Sequence, residues 1–579
     1  MMLWRIPETI KPPVTYGMAG SRGFRGWRDT MAAPGVTPVQ PTSRRDFLKW
    51  GAIAGLGAAG ALGGFWALWK YALNLTYPRY VPLKPWELEP GVVNYDLVRA
   101  NGYGPAELGF VNDIGDAPAE SRILNVAQWY DYWPGRIVAE FGPYMSSRWG
   151  IEGVSVRWTP NIFTSNEELL QWVLEDGRTF DVMFPANYAV EALEKAGALV
   201  NLNREWIPDY VNILGRFPAS WPPGFEPVRS DLTHFPSYPD SGNGYNNDIA
   251  FDLRDPAANA YAYRMPSSVY PSPRGMSHVT WDEANSLLAV PYQWMTTGIG
   301  YRTDIFDRTG IEALGWEVFE LTSYSNPVSG ETHPLANRKM MLDEMREVFG
   351  AALKAVGGKR QVDAGLPLTG IPRNPAPPWN GEYQWSTNET DPAKTQAAVD
   401  WTRSIRDSLW GFNTPQQGPW LVNGTMYVDQ ARSGDVMYAI RPNSNQFLPV
   451  DFFVPLQGSS RVVDAAVIGR SCDSLWLAHE FLNYLLQPDV GADISSWNLY
   501  PTPNAWSFNL LHADPSYSYY GQYPDGSPYV WNPAEDARLY ADLAFGYAGP
   551  SVLERCELQH DLDPDTTLRY ETAWEDIRY

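Results

Sequence analysis

The side chains able to do chemistry are present in this chain, but not at the spacings chemistry needs. Its six histidines, His234, His278, His333, His479, His512 and His560, fall in no metal-ligand pattern and beside no obvious nucleophile. No Gly-x-Ser-x-Gly elbow and no phosphate loop occurs. Cys472 and Cys556 are the only thiols. Two cysteines make neither a metal site nor a disulfide framework, although outside the cytoplasm they can bond to each other. Paired carboxylates far apart in the chain would suffice to hydrolyse a glycoside, so an exported carbohydrate-active enzyme stays among the readings. The lack of every short catalytic motif nevertheless lowers the enzyme reading, and no catalytic residue, metal or cofactor is assigned. One acidic pair has a defined geometry: Glu344 and Glu347, three residues apart in "LDEMREVF", share a helix face.

Composition narrows the partners. A formal charge of −22 argues against nucleic acid, whose phosphates would be repelled. It suits an extracytoplasmic protein and a cationic partner, or plain solubility. Fifty prolines, 49 glycines and 26 tryptophans describe a loop-rich, aromatic-rich chain, and aromatic excess serves sugar or amine recognition as well as core packing.

The elements that must carry these residues follow from periodicity. In "TSRRDFLKWGAIAGLGAAGALGGFWALWK", Arg44 and Arg45 precede a weakly hydrophobic run, the form of a twin-arginine export signal. The run is also long enough for a membrane anchor, so residues 1–70 are a leader that is either cleaved or retained. Met31 is an economical start for it. Residues 71–120 read as an extended Pro-rich spacer. From Ile123 the pattern is βαβαβ: strands at Ile123–Val126, Val154–Trp158 and Phe180–Phe184, a helix opened by Pro134, and a helix capped at Ser165. That order predicts an α/β fold with parallel strands covered by helices. Residues 205–290 read as a long irregular insertion on the surface, and "RNPAPPWNGEYQW" as a second decoration. Between and after them come a strand at "LAVPYQWMTTGIGY", helices at "DEMREVFGAALKAVGG", "DPAKTQAAVDWTRSIRDSL" and "DSLWLAHEFLNYLLQ", and strands at "MYVDQARSGDVMYAI" and "DAAVIG".

Seven strings then stand in one order: "AQWYDYWPGRIVAEF", "FDVMFPANYAVEALEKAGALVNLN", "VPYQWMTTGIGYRTD", "LDEMREVFGAALKAVG", "STNETDPAKTQAAVDW", "EFLNYLLQPDVGADI" and "LYPTPNA". Together they make the chain from about residue 121 onward similar to the spermidine/putrescine-binding periplasmic proteins, solute receptors of ABC transporters. The resemblance implies a two-lobed periplasmic-binding-protein fold with an interlobe ligand cleft and extra loop insertions. Lobe 1 would be 121–298 plus 464–505, and lobe 2 would be 299–463 plus 506–579. The resemblance implies a monomeric, exported receptor that performs no chemistry; it closes on its solute and docks on a membrane permease.

Polyamine capture requires carboxylates for each desolvated ammonium and flat aromatic walls for the methylenes. The resemblance assigns Trp129 and Tyr132 as walls, Asp131 as an acid, Tyr188 as a cleft tyrosine, Glu344 and Glu347 as a converging acidic pair, Asp464 as the most direct amine partner, Tyr500 as a further tyrosine and Gln559 as a C-terminal amide. Structural roles compete at each: core packing for Trp129 and Tyr132, helix capping for Asp131, helix-dipole stabilisation for Glu344 and Glu347 with Asp343 as the cap, a strand end for Asp464, and hinge packing for Tyr500. Ala186 replaces the family's serine beside Tyr188. Two departures bear on the ligand: Val462 and Arg432 stand where the family has tryptophans. A guanidinium in the cleft repels ammonium and attracts carboxylate, unless Arg432 neutralises Asp435 or Glu347. The expected solute is thus a polyamine or a related cationic or zwitterionic molecule; a sugar or organic anion is the alternative on the same fold, and a membrane-anchored sensor a third.

Overall fold

The structure, a computed structural model, describes residues 82–130, 132–213, 288–365, 385–440, 449–504, 507 and 555–578. The 1–70 leader, most of the 205–290 insertion, most of the second decoration, and Asp131 lie outside them.

One mixed sheet runs through the molecule. In chain order its strands are β1 (Ile123–Trp129), β2 (Ser155–Arg157), β3 (Ile162–Phe163), β4 (Val182–Met183), β5 (Ala289–Arg302), β6 (Lys339–Met341), β7 (Gly411–Phe412), β8 (Val428–Arg432), β9 (Val450–Phe453), β10 (Ser459–Ile468) and β11 (Cys556–Leu558). Across the sheet the order is β7-β6-β8-β5-β10-β4-β1-β2, with β9 on β5, β11 on β10 and β3 on β1. The two ends are parallel, β1 with β2, β3 and β4 at one end and β6 with β7 and β8 at the other. Antiparallel β5 and β10 join them in the middle.

Two hydrophobic clusters hang on this sheet. The first gathers residues up to Met295 with Val462–Ile468 and the helices that follow, and the second gathers Ile299–Phe453 with Leu562–Ile577. β5 therefore leaves one core and enters the other between Met295 and Ile299. The helices on the parallel ends are α1 (Gly135–Trp149), α2 (Asn166–Leu174), α3 (Asn187–Lys195), α4 (Met345–Asp363), α5 (Pro392–Arg406), α6 (Ser433–Ile440), α7 (Leu475–Leu485), α8 (Pro488–Asn498) and α9 (Pro564–Arg578). α1 buries Ile137, Phe141 and Met145, a stripe with one residue per turn, and ends where Gly150 takes a φ of 69°. α2 starts on the Ser165 hydroxyl, which accepts the Glu168 N–H at 3.1 Å.

Three expectations are corrected here. Residues 82–120 are not an extended spacer: Trp86, Tyr95, Phe110 and Ile114 are buried in the first core. Arg470 grips Glu87 with two hydrogen bonds of 2.7 and 2.9 Å. The prolines set turns, but the aromatic residues between them carry enough apolar surface to dock. The start of the expected insertion is likewise docked rather than a surface decoration, with Trp206, Ile207 and Tyr210 buried and Tyr95 edge-on to Trp206 at 4.9 Å. Finally, Ser433–Ile440 is a helix and not a strand. The Ser433 hydroxyl accepts the Thr296 N–H at 3.4 Å and Asp435 sits in the first turn, so the chain turns into a helix as soon as β8 ends. Cys472 and Cys556 are buried separately and form no disulfide with each other.

Candidate functional site

The side chains singled out in the sequence sit where strands end and helices begin, the crevice in which open α/β sheets hold ligands. Trp129 ends β1, Tyr188 opens α3, Arg432 ends β8 just before α6, and Glu344 and Glu347 stand at the N-cap and first turn of α4. Tyr500 follows α8, whose end is set by Leu499 at a φ of 63°. Asp464 occupies an irregularity in β10: it pairs with Gln293 while its neighbour Ala465 pairs with Pro291. The unpaired extra residue is Tyr292 of β5, a bulge that re-aims its side chain.

On the side of the first core, the Tyr132 hydroxyl donates to Asp464 Oδ2. The Tyr132 ring lies 5.6 Å from Tyr292, 5.7 Å from Tyr500 and 6.5 Å from Trp129. Trp129 is fixed by an Nε1–H bond of 2.8 Å to the Phe184 carbonyl and by Phe163 at 4.6 Å. Asp464 is 1% exposed, and among the described residues its Oδ1 has no hydrogen-bond partner. Burial pushes its carboxyl up to about 7, against the pull of the Tyr132 hydrogen bond and of Arg432.

On the side of the second core, Arg432 forms an ion pair with Glu344. Its guanidinium stands 5.7 Å from the centre of the Trp129 ring, within cation–π range. Burial pushes the Glu344 carboxyl up to about 7 while Arg432 pulls it down. Glu344 also accepts the Thr414 hydroxyl at 3.2 Å. Glu347 accepts the Ser460 hydroxyl at 2.6 Å and the Gln559 amide at 3.1 Å. The Tyr500 hydroxyl donates to Asp435 at 2.5 Å, and Arg346 stacks its guanidinium 5.6 Å from the Tyr188 ring. These contacts tie the two cores together across the crevice.

The structure thus brings Trp129, Tyr132, Asp464, Tyr500, Glu344 and Arg432 into one linked cluster, with Glu347 and Gln559 beside it. Tyr188 stands at its edge, its hydroxyl donating to Glu167 at 3.3 Å. Glu344 and Glu347 do not converge on one point; they serve different partners. The partner of Arg432 is neither Asp435 nor Glu347 but Glu344. Asp343 does not cap α4: it pairs with Arg578, and Glu344 takes the cap position. Val462 pairs with Met295 inside the first core.

Two participants were not singled out in the sequence. Tyr292 adds an aromatic wall from β5, and its buried hydroxyl has no hydrogen-bond partner among the described residues. Its only signal was a tyrosine inside an otherwise apolar run. Glu167 lies in the first turn of α2, and nothing in that capping pattern points to Tyr188.

Gly434 holds the Tyr500 wall in place. A Cβ there would stand 2.6 Å from the Tyr500 ring. Gly434→Ala is expected to displace the ring, cost about 1–3 kcal/mol in urea unfolding, and weaken solute binding measured by calorimetry.

Two α/β cores joined by long strands, with polar and aromatic side chains meeting between them, define a solute-binding clamshell. The family profile described as bacterial extracellular solute-binding protein matches residues 153–516, and the chain belongs to that family. It is 22% identical over 407 residues to the putrescine-binding periplasmic protein PotF of Escherichia coli, a match covering 69% of this chain and 83% of that protein. It is 23% identical over 296 residues to a spermidine/putrescine-binding periplasmic protein of Salmonella typhimurium, covering 51% of this chain and 65% of the relative. Among solved structures, a putative spermidine/putrescine ABC transporter protein from Listeria monocytogenes aligns with a TM-score of 0.49 and 19% identity, over 79% of this chain and 98% of the other. The relatives are transport proteins of the extracytoplasmic side. Among the described residues no helix is long and apolar enough to cross a membrane.

Proposed function

We propose that this chain is the exported receptor of an ABC importer and that it captures an ammonium-bearing small solute of the polyamine type between the two cores. The observation that carries the reading is Asp464, a buried carboxylate with one oxygen on Tyr132 and the other without a partner, walled by Trp129, Tyr132, Tyr292 and Tyr500. A desolvated ammonium needs a carboxylate of this kind, and aromatic faces suit the chain attached to it. Trp129, Tyr132, Tyr188, Glu344, Glu347, Arg432, Asp464, Tyr500 and Gln559 are the proposed cleft set, with Asp131 its remaining member from outside the described residues. The two cores act as the lobes, closing on the solute and presenting the closed form to a permease without catalysis. Export by the twin-arginine route, with the hydrophobic segment removed or kept as an anchor, completes the proposal.

Calorimetric titration with putrescine and spermidine, with mass spectrometry of the mixture, tests it: saturable heat with no product is expected, and turnover of a sugar polymer without amine binding would overturn it. The pH dependence adds a second check. Asp464 must be ionised to receive an ammonium, so affinity is expected to rise with pH and level off above about 7. One proton displaced per ammonium makes binding about tenfold weaker at pH 6 than at pH 8. The sign for folding is opposite. A carboxyl raised from 3.8 to about 7 holds its proton more tightly in the native chain, so this group's contribution to stability is full below about 4 and is lost as pH rises to about 7.

A further inference from the structure

The acids of the crevice are not equally available. Glu344 is neutralised by Arg432, Glu347 is occupied by Ser460 and Gln559, and Asp435 by Tyr500. Asp464 alone among these four keeps a carboxylate oxygen that is buried and has no hydrogen-bond partner. Arg432 is 8% exposed, and among the described residues its Nε–H is also buried without a hydrogen-bond partner. Both lie against the same aromatic wall, Asp464 through Tyr132 and Arg432 over Trp129.

One open acceptor on an acid and one open donor on a cation ask for a guest with both complements. Building on the amine reading above, we propose that the solute carries one ammonium, for Asp464, and one carboxylate, for Arg432, rather than two ammoniums. Among the four acids just named, a diamine would place its second cation against the guanidinium or have to break the Arg432–Glu344 pair. A carboxylate instead completes the hydrogen bonding of a buried arginine, the pairing for which a guanidinium is best shaped. The N-termini of α4 and α6 lie at the same place and favour negative charge there.

The test is calorimetry on the full chain with ω-amino acids and diamines of matched carbon number: 4-aminobutanoate against putrescine, 5-aminopentanoate against cadaverine, and butylamine as the monoamine control. The amino acid of at least one pair is expected to bind tenfold or more tightly than its diamine. Arg432→Gln, with folding checked by circular dichroism, is expected to reverse that order, losing the amino acid and gaining the diamine. Tighter binding of both diamines by the wild type, or an equal loss of both ligand classes in Arg432→Gln, would overturn the single-ammonium assignment and leave the amine receptor standing. No binding by any of the five amines would overturn both.

Discussion

Asp464→Asn is expected to weaken binding of an ammonium-bearing solute by about 2–5 kcal/mol, the usual cost of removing one partner of a buried charged pair. Asparagine has nearly the same shape, and its oxygen still accepts the Tyr132 hydroxyl. The loss therefore comes from charge and not from a collapsed wall. The same substitution should abolish the pH dependence of binding between 6 and 8, because the group that titrates near 7 is gone. Calorimetry of wild type and variant at both pH values checks the two effects together. Wild-type affinity in the variant would remove Asp464 from the site, and a retained pH profile would move the titration to another group, Glu344 being the candidate.

Glu344→Gln is expected to cost about 3–5 kcal/mol of folding stability, since it strands the buried Arg432 guanidinium. The nearby acids cannot easily replace it: Glu347 is held by Ser460 and Gln559, and Asp435 by Tyr500. The double variant Glu344→Leu with Arg432→Met should recover most of the loss, because a buried pair exchanged for apolar residues of similar volume is often neutral or better. Urea unfolding of the single and double variants measures the difference. Both partners stand on elements of the second core, so the effect should appear without any added solute. An unchanged midpoint in Glu344→Gln would mean that the pair contributes nothing to the fold.

Much of this architecture was legible before any coordinates. The alternating apolar strands and the helices between them are local patterns; α1 ends at a glycine in the left-handed region and α2 begins at a serine cap. The resemblance singled out Trp129, Tyr132, Asp464, Glu344 and Arg432, and the fold links their side chains through direct contacts. What the text of the chain misjudged was segments whose local and tertiary preferences differ. Residues 82–120 look like linker because prolines dominate them, yet Trp86, Tyr95 and Phe110 find a core made of residues a hundred or more positions away.

Sequence alone determined the class of protein, since seven strings in register and the βαβ rhythm depend only on order along the chain. Tertiary structure alone decided who partners whom. That Arg432 takes Glu344, that Tyr132 takes one oxygen of Asp464 and leaves the other, and that Tyr292 supplies a wall all depend on strand register and on the bulge at Tyr292. The physical reason is range: strand and helix preferences act over a few residues, whereas the choice among several buried acids is made by ångström-scale distances between groups that the chain brings together from far apart.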